Sequence, residues 1–214
     1  MNKPFSPEKK ADVQTHILSA AKTLFLAEGI APVKMTDIAI EAHLGVATLY
    51  RYFRVKKAIV IAVATSLWSE KEREFAEISK QNDAEHLSGI ASLTILLNHF
   101  YDLLTQEKAL ILFVRNFDSF CLSENVKPSE LTAYDAIFSC IESLFLHCGE
   151  KGIRDGTIRS DRDFALTYSA FSRAIIGLAE KLSNDKAIVP SDQEKDPRMM
   201  IRSLIDVLLA YFAQ

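Results

Sequence analysis

The chain has 214 residues, 49% hydrophobic and 25% charged, with a net charge of −3. This composition excludes a disordered or collagen-like chain, and only seven glycines and six prolines argue against an all-β fold built on tight turns. No apolar run reaches the roughly eighteen residues that span a bilayer, and the opening MNKPFSPEKK lacks the apolar core of a signal peptide, so a cytoplasmic protein with no membrane partner is expected.

The charge is unevenly placed. Residues 1–60 carry nine Lys and Arg against five Asp and Glu, whereas the rest of the chain carries sixteen against twenty-three. A small basic head on an acidic body suits phosphate binding at one end, because such binding depends on the local patch and not on the total. Cys121, Cys140 and Cys148 show no CxxC spacing and read as small buried apolar residues, not as a disulfide frame or a redox site.

In chain order, residues 1–10 read as a polar arm whose Lys3, Lys9 and Lys10 are solvated. Residues 11–28 form a helix with a buried stripe of Val13, Ile17, Ala21, Leu24 and Phe25, closed by Gly29. Pro32 falls in the connection. Thr36 is the expected N-cap of a short helix, with Asp37 at its positive end and Ile38, Ala39 and Ala42 on one face. His43 to Gly45 interrupt the pattern, and Val46 to Phe53 resume it with Leu49 and Phe53 facing inward. Together these form a three-helix head.

That arrangement leaves Val46, Ala47, Thr48, Arg51 and Tyr52 pointing largely outward. A small outer face lets a helix enter the major groove, about 12 Å wide. Thr48 offers a hydroxyl and a methyl to base edges, and Arg51 offers a fork that suits guanine. Tyr50, Tyr52, Lys56 and Lys57 are placed to reach phosphates.

The run Gly45-Val46-Ala47-Thr48-Leu49-Tyr50-Arg51-Tyr52-Phe53, with Lys56 three residues on, resembles the DNA-binding signature of the tetracycline-repressor (TetR) family. Ile17 to Phe25, Glu28-Gly29 and Thr36 to Ala39 resemble the first two helices of the same family. Two positions depart from its pattern. His43 stands where the family has Gly in the turn, and Arg51-Tyr52-Phe53 replaces an aromatic-His-Phe triplet.

Beyond the head, a helix is expected from Val55 to about Gln81, apolar in its first half and charged in its second, followed by helices over 84–105 and 107–122. Pro128 suits the first position of a helix running to about Gly149, and GEKGIRDGTIRSD reads as a loop. Ser160 or Asp161 caps a helix over 162–184, with a heptad seam of Phe164, Tyr168, Phe171, Ile175, Leu178 and Leu182. Gly177 within it suggests close approach of another backbone. Residues 185–196 read as a polar loop. Asp196-Pro197 then starts a last helix to Tyr211, with Ile201, Ile205, Leu208 and Phe212 as its seam. The two seams either pack on each other or form a four-helix bundle with a second chain.

The reading is therefore all-α: a helix-turn-helix DNA-binding head over 1–54 and a larger helical ligand-binding and dimerisation body over 55–214. The resemblance implies a homodimer through the two C-terminal helices and a small-molecule pocket in the body. Its candidate lining is Phe100, Phe113, Arg115, Phe117, Tyr134, Phe138 and Phe171, for an apolar or aromatic effector. The DNA-binding set is Thr36, Val46, Ala47, Thr48, Tyr50, Arg51, Tyr52 and Lys56. No cofactor or metal is expected. HExxH, GxSxG and Gly-rich phosphate loops are absent, and His147 beside Cys148 reads as a surface His next to a core Cys, which argues against an enzyme. The expected function is a ligand-responsive transcriptional regulator, a repressor released from a palindromic operator. The alternative is a helical adaptor acting through protein partners, favoured only by His43 in the turn.

Overall fold

The structure is a computed structural model that describes residues 7–183 and 196–214. The expectations for residues 1–6 and for most of the 185–196 loop lie outside the described residues. Those described form nine α-helices, one short 3-10 turn and no strand. The helices are α1 Pro7–Glu28, α2 Met35–Glu41, α3 Val46–Tyr52, α4 Lys56–Ala84, α5 Gly89–Gln106, α6 Lys108–Ser123, α7 Thr132–Asp155, α8 Phe164–Leu182 and α9 Pro197–Phe212. The all-α expectation holds. The polar arm is shorter than expected, because Pro7 starts α1 and its missing N–H is no loss at a first helical position.

The chain divides into two compact units, Met1–Leu67 with Leu112–Tyr134, and Trp68–Ile111 with Asp135–Gln214. This differs from a single cut after residue 54: the second half of α6 and the turn that follows group with the first three helices.

In the first unit, Ile17, Ala21 and Phe25 of α1 are buried together with Ile38, Ala39 and Ala42 of α2 and Leu49 of α3. The expected stripe therefore forms the head's core, although Val13, Leu24 and Phe53 are only half-buried. Ile59, Val60 and Val63 add the first turns of α4. Gly29 closes α1 in the left-handed region (φ 84°), its N–H donating to the Phe25 carbonyl at 3.1 Å.

In the second unit, α5 is the central element. Leu93, Leu96, Leu97, Phe100, Leu103 and Leu104 are all buried, and α8 and α9 pack on it and on each other. Arg202 fixes α9 to α5, donating to Asn98 Oδ1 at 2.7 Å with its guanidinium over the Tyr101 ring.

Three boundaries around α7 and α8 differ from the sequence reading, the first of them for a packing reason. The stretch expected to be a loop from Gly149 continues α7 to Asp155. Gly149 and Gly152 sit in the helix because a β-carbon there would strike Phe164 and Ile158 respectively. Pro128 starts the short 3-10 turn Pro128–Glu130, and α7 itself begins at Thr132. Asp163, not Ser160 or Asp161, caps α8, accepting from the Leu166 N–H at 2.9 Å. Asp196 caps α9 as expected, accepting from Arg198 N–H at 2.9 Å.

The α9 seam is buried within the chain, whereas the α8 seam is buried only in part, with Phe171, Leu178 and Leu182 half-buried. Phe164, Tyr168 and Ile175 of α8 and Ile201, Ile205, Leu208 and Phe212 of α9 are buried within the chain. Gly177 faces outward, with nothing near its absent side chain. Cys140 is exposed, which corrects the expectation of three buried thiols; Cys148 is buried, and burial pushes its thiol up to about 11.

Candidate nucleic-acid interface

The head presents α3 as a nearly free helix. Leu49 is its only buried residue, with Gly45 as N-cap in extended conformation. Val46, Ala47, Tyr50 and Arg51 are exposed, a spacing of one, three and one that puts all four on one side of a helix. Val46 is 40% and Tyr50 47% exposed. Thr48 and Tyr52 flank this side half-buried. The Arg51 guanidinium lies 5.5 Å from the Tyr52 ring centroid, so the aromatic supports the cation's plane.

α2 reaches α3 through a tight turn. His43 takes φ 49°, the left-handed region its position demands. The turn closes with the Leu44 N–H on the Ala39 carbonyl and the His43 N–H on the Ile40 carbonyl, both at 2.9 Å. The two bonds together are those of a Schellman-type helix end, with His43 in the place usually held by Gly. The departure at His43 therefore leaves the turn's hydrogen bonding intact.

Thr36 does not cap α2. The helix begins at Met35, and Lys34 holds the cap position with φ −101° and ψ 163°. Asp37, at the third helical position, accepts from the Lys34 N–H at 2.8 Å. Its carboxylate satisfies the helix start from inside, so Thr36 stays exposed, donating to Asp37 Oδ1 at 3.3 Å.

Lys56 also departs from expectation. Its ammonium turns inward and donates to the carbonyls of Ile30 and Ala31, where α1 ends. It lies 5.9 Å from the Phe120 ring centroid of α6. Burial lowers its pKa, with Glu124 and Asp37 opposing that shift. Lys57 is paired as well, its Nζ 2.8 Å from Glu130 Oε1. Sequence reasoning missed Arg54, which lies exposed in the bend between α3 and α4. A cation two residues beyond the last helical position was the available signal.

The candidate effector residues fall in two groups. In the first unit, Phe113 and Phe117 are each 1% exposed and stacked at 6.2 Å, with Tyr134 4.9 Å from Phe117; Arg115 is half-buried on the same helix. In the second unit, Phe100 is buried against Phe75 and Phe145, Phe138 stands 4.6 Å from Trp68, and Phe171 is half-buried. Trp68 is 4% exposed, and its Nε1 has no hydrogen-bond acceptor among the described residues. A cleft of about 200 Å³ is lined by Leu104, Ala179, Leu182, Pro197 and Ile201 among others, and by none of the expected residues. Among the described residues no group of His, Cys, Asp and Glu could hold a metal ion, and no helix is long and apolar enough to cross a membrane.

Residues 17–63 match the family described as bacterial regulatory proteins, tetR family. This segment runs from the buried part of α1 through α3 into α4. Among curated proteins, the chain is 23% identical over 159 residues to the HTH-type transcriptional repressor KstR2 of Rhodococcus jostii, covering 74% of each. Its fold is that of a TetR-family regulator from Mesorhizobium loti (TM-score 0.71, 18% identity, 96% and 98% of the two chains). It is also that of Thermus thermophilus FadR in complex with lauroyl-CoA (TM-score 0.60, 18% identity, 92% and 94%).

Proposed function

We propose that this chain, whose residues 17–63 match the tetR family, is a ligand-responsive transcriptional repressor that binds a palindromic operator as a dimer. The observation that carries the reading is the exposed side of α3, where Val46, Ala47, Tyr50 and Arg51 are exposed on a helix whose one fully buried residue is Leu49. Such a helix docks in the major groove, with Arg51 on a guanine edge and Val46 and Ala47 against thymine methyls. Thr48 reaches a base edge beside them. Tyr50, Tyr52 and Thr36 contact phosphates on either side.

A dimer reads two half-sites and supplies the specificity that one short helix lacks. We assign its contact to the outer faces of α8 and α9, since the α9 seam and half of the α8 seam are buried within the chain. Leu166 (68% exposed), Met199 (70%) and Val207 (62%) project there, and Gly177 leaves room for a partner backbone. Burying each large side chain contributes about 1.5–3 kcal/mol.

The effector site belongs to the helical body. Phe100, Phe138 and Phe171 share the second unit with Trp68, whose unmatched Nε1 suits an acceptor on an otherwise apolar ligand. Phe113, Arg115, Phe117 and Tyr134 lie in the first unit, where Phe113, Phe117 and Tyr134 form an aromatic cluster of their own. A lauroyl-CoA complex of the similar FadR supports an apolar, acyl-type effector. Its binding shifts the population toward a state that does not hold DNA. The adaptor alternative is not favoured, because His43, its one support, sits in a normally bonded turn.

The test is selection of bound fragments from random duplex DNA, with Arg51→Ala alongside. An enriched palindrome is expected, with one position per half-site relaxed in the variant by about 1–3 kcal/mol. No enrichment by a folded dimer would reject the reading.

A further inference from the structure

The junction of α3 and α4 carries three cations, Arg54, Lys56 and Lys57, and the structure separates their roles. The Lys56 ammonium is held by two carbonyls at the end of α1 and covered by Phe120. Lys57 faces Glu130 at 2.8 Å. Arg54 alone of the three is exposed with no hydrogen bond or ion pair to any described residue. It follows directly on Phe53, whose extended backbone ends the recognition helix.

We infer that Arg54 is the phosphate-binding cation of this junction, and that Lys56 is a positioning residue that fixes the start of α4 to the end of α1. The inference rests on the DNA-binding reading above. A helix that enters the major groove meets the sugar–phosphate backbone where the chain leaves the groove, and Arg54 is the side chain at that exit. Its guanidinium presents two parallel N–H donors to one phosphate, a geometry an ammonium does not offer. Lys56 in the same role would have to give up both carbonyls and leave them without a donor, a loss that DNA binding would have to offset.

The experiment measures binding of the full-length protein to its selected operator and to a random duplex of equal length, by fluorescence anisotropy from about 0.05 to 0.3 M salt. For Arg54→Gln, affinity falls at least about fivefold at ~0.15 M salt on both duplexes, and the slope of log K against log salt becomes shallower by about 1.8, the effect of one released counterion per protomer of the dimer. For Lys56→Gln, the melting temperature falls and the slope stays at the wild-type value. An unchanged slope for Arg54→Gln, or a slope shallower by about 1.8 for Lys56→Gln, overturns the inference. Arg54→Lys separates fork from charge: it restores the slope but not the full affinity, and full recovery would overturn the bidentate contact. Wild-type protein that binds neither duplex at any salt would instead reject the DNA-binding reading itself.

Discussion

Gly89 starts α5 against the backbone of Gly152 in α7: a β-carbon on Gly89 would lie 2.0 Å from the Gly152 nitrogen and 2.7 Å from the Cys148 carbonyl oxygen. Nothing flexible stands in the way, so the helices themselves would have to part. Gly89→Ala is therefore expected to destabilise the fold by about 3 kcal/mol, against the small gain Ala usually brings to a helix. Thermal unfolding should show a melting temperature lower by roughly 6–12 °C. A shift of a degree or less would mean that the two helices do not approach this closely.

The same contact carries a pH dependence. Asp155, at the end of α7, accepts from the Gly89 N–H at 2.7 Å and from the Thr157 N–H and hydroxyl, and these bonds, the Thr157 hydroxyl first, hold its carboxyl below the usual range. A carboxyl depressed in the folded state stabilises it above the unfolded value of about 3.9, and that contribution is lost as pH falls toward the folded value. Melting temperature between about pH 5 and pH 2 should fall less steeply in Asp155→Asn than in wild type. Parallel curves would show that the carboxylate charge makes no difference at this joint.

His43 holds a left-handed conformation with its side chain exposed, so the residue adds strain with little burial. His43→Gly should relieve about 1 kcal/mol and raise the melting temperature by about 2–4 °C. Operator affinity should stay within twofold, because the turn keeps its hydrogen bonds. A lower melting temperature would indicate a stabilising contact of the imidazole.

The head was legible in the sequence because its signals are local. A stripe at helical spacing, a closing Gly and an ordered motif lie within fifty residues, and Ile17, Ile38 and Leu49 are buried as that pattern requires. What escaped reading depends on partners far along the chain. Gly149 and Gly152 look like loop residues until Phe164, Ile158 and Gly89 are seen to need the space. Lys56 looks like a phosphate ligand until Ile30, Ala31 and Phe120 claim its ammonium. Thr36 lost the cap to Lys34 because Asp37, three positions on, offers the stronger acceptor. The C-terminal seams were correctly placed on α8 and α9, but a heptad alone does not say whether its partner is the same chain or another.

That last ambiguity sets a prediction for assembly. Val207 is 62% exposed on the outer face of α9, away from the seam of Ile201, Ile205 and Leu208. Val207→Arg should leave the melting curve of the folded chain nearly unchanged at concentrations where it is monomeric, since surface substitutions away from special features stay within about 0.5 kcal/mol. In a dimer it places two unpaired charges near the two-fold axis and should shift the species seen by sedimentation from dimer to monomer, with loss of palindrome binding and retention of weak half-site binding. A variant that remains dimeric would move the contact to another surface.

Trp68 is the chain's single tryptophan, so its emission reports one place. It is 4% exposed, tilted 53° against Phe138 at 4.6 Å, with Nε1 lacking an acceptor. A buried donor without a partner is costly, by about 1–3 kcal/mol, and an effector bearing an oxygen at that point would remove the cost on binding. Titration with lauroyl-CoA as first probe should therefore change the emission intensity or maximum saturably, in step with release from operator. Trp68→Phe keeps the apolar volume and removes the donor, and it should weaken such a ligand about fivefold, the ~1 kcal/mol of one net hydrogen bond. An acyl ligand that raises the melting temperature and releases DNA without altering the emission would place the effector site away from Trp68 and Phe138.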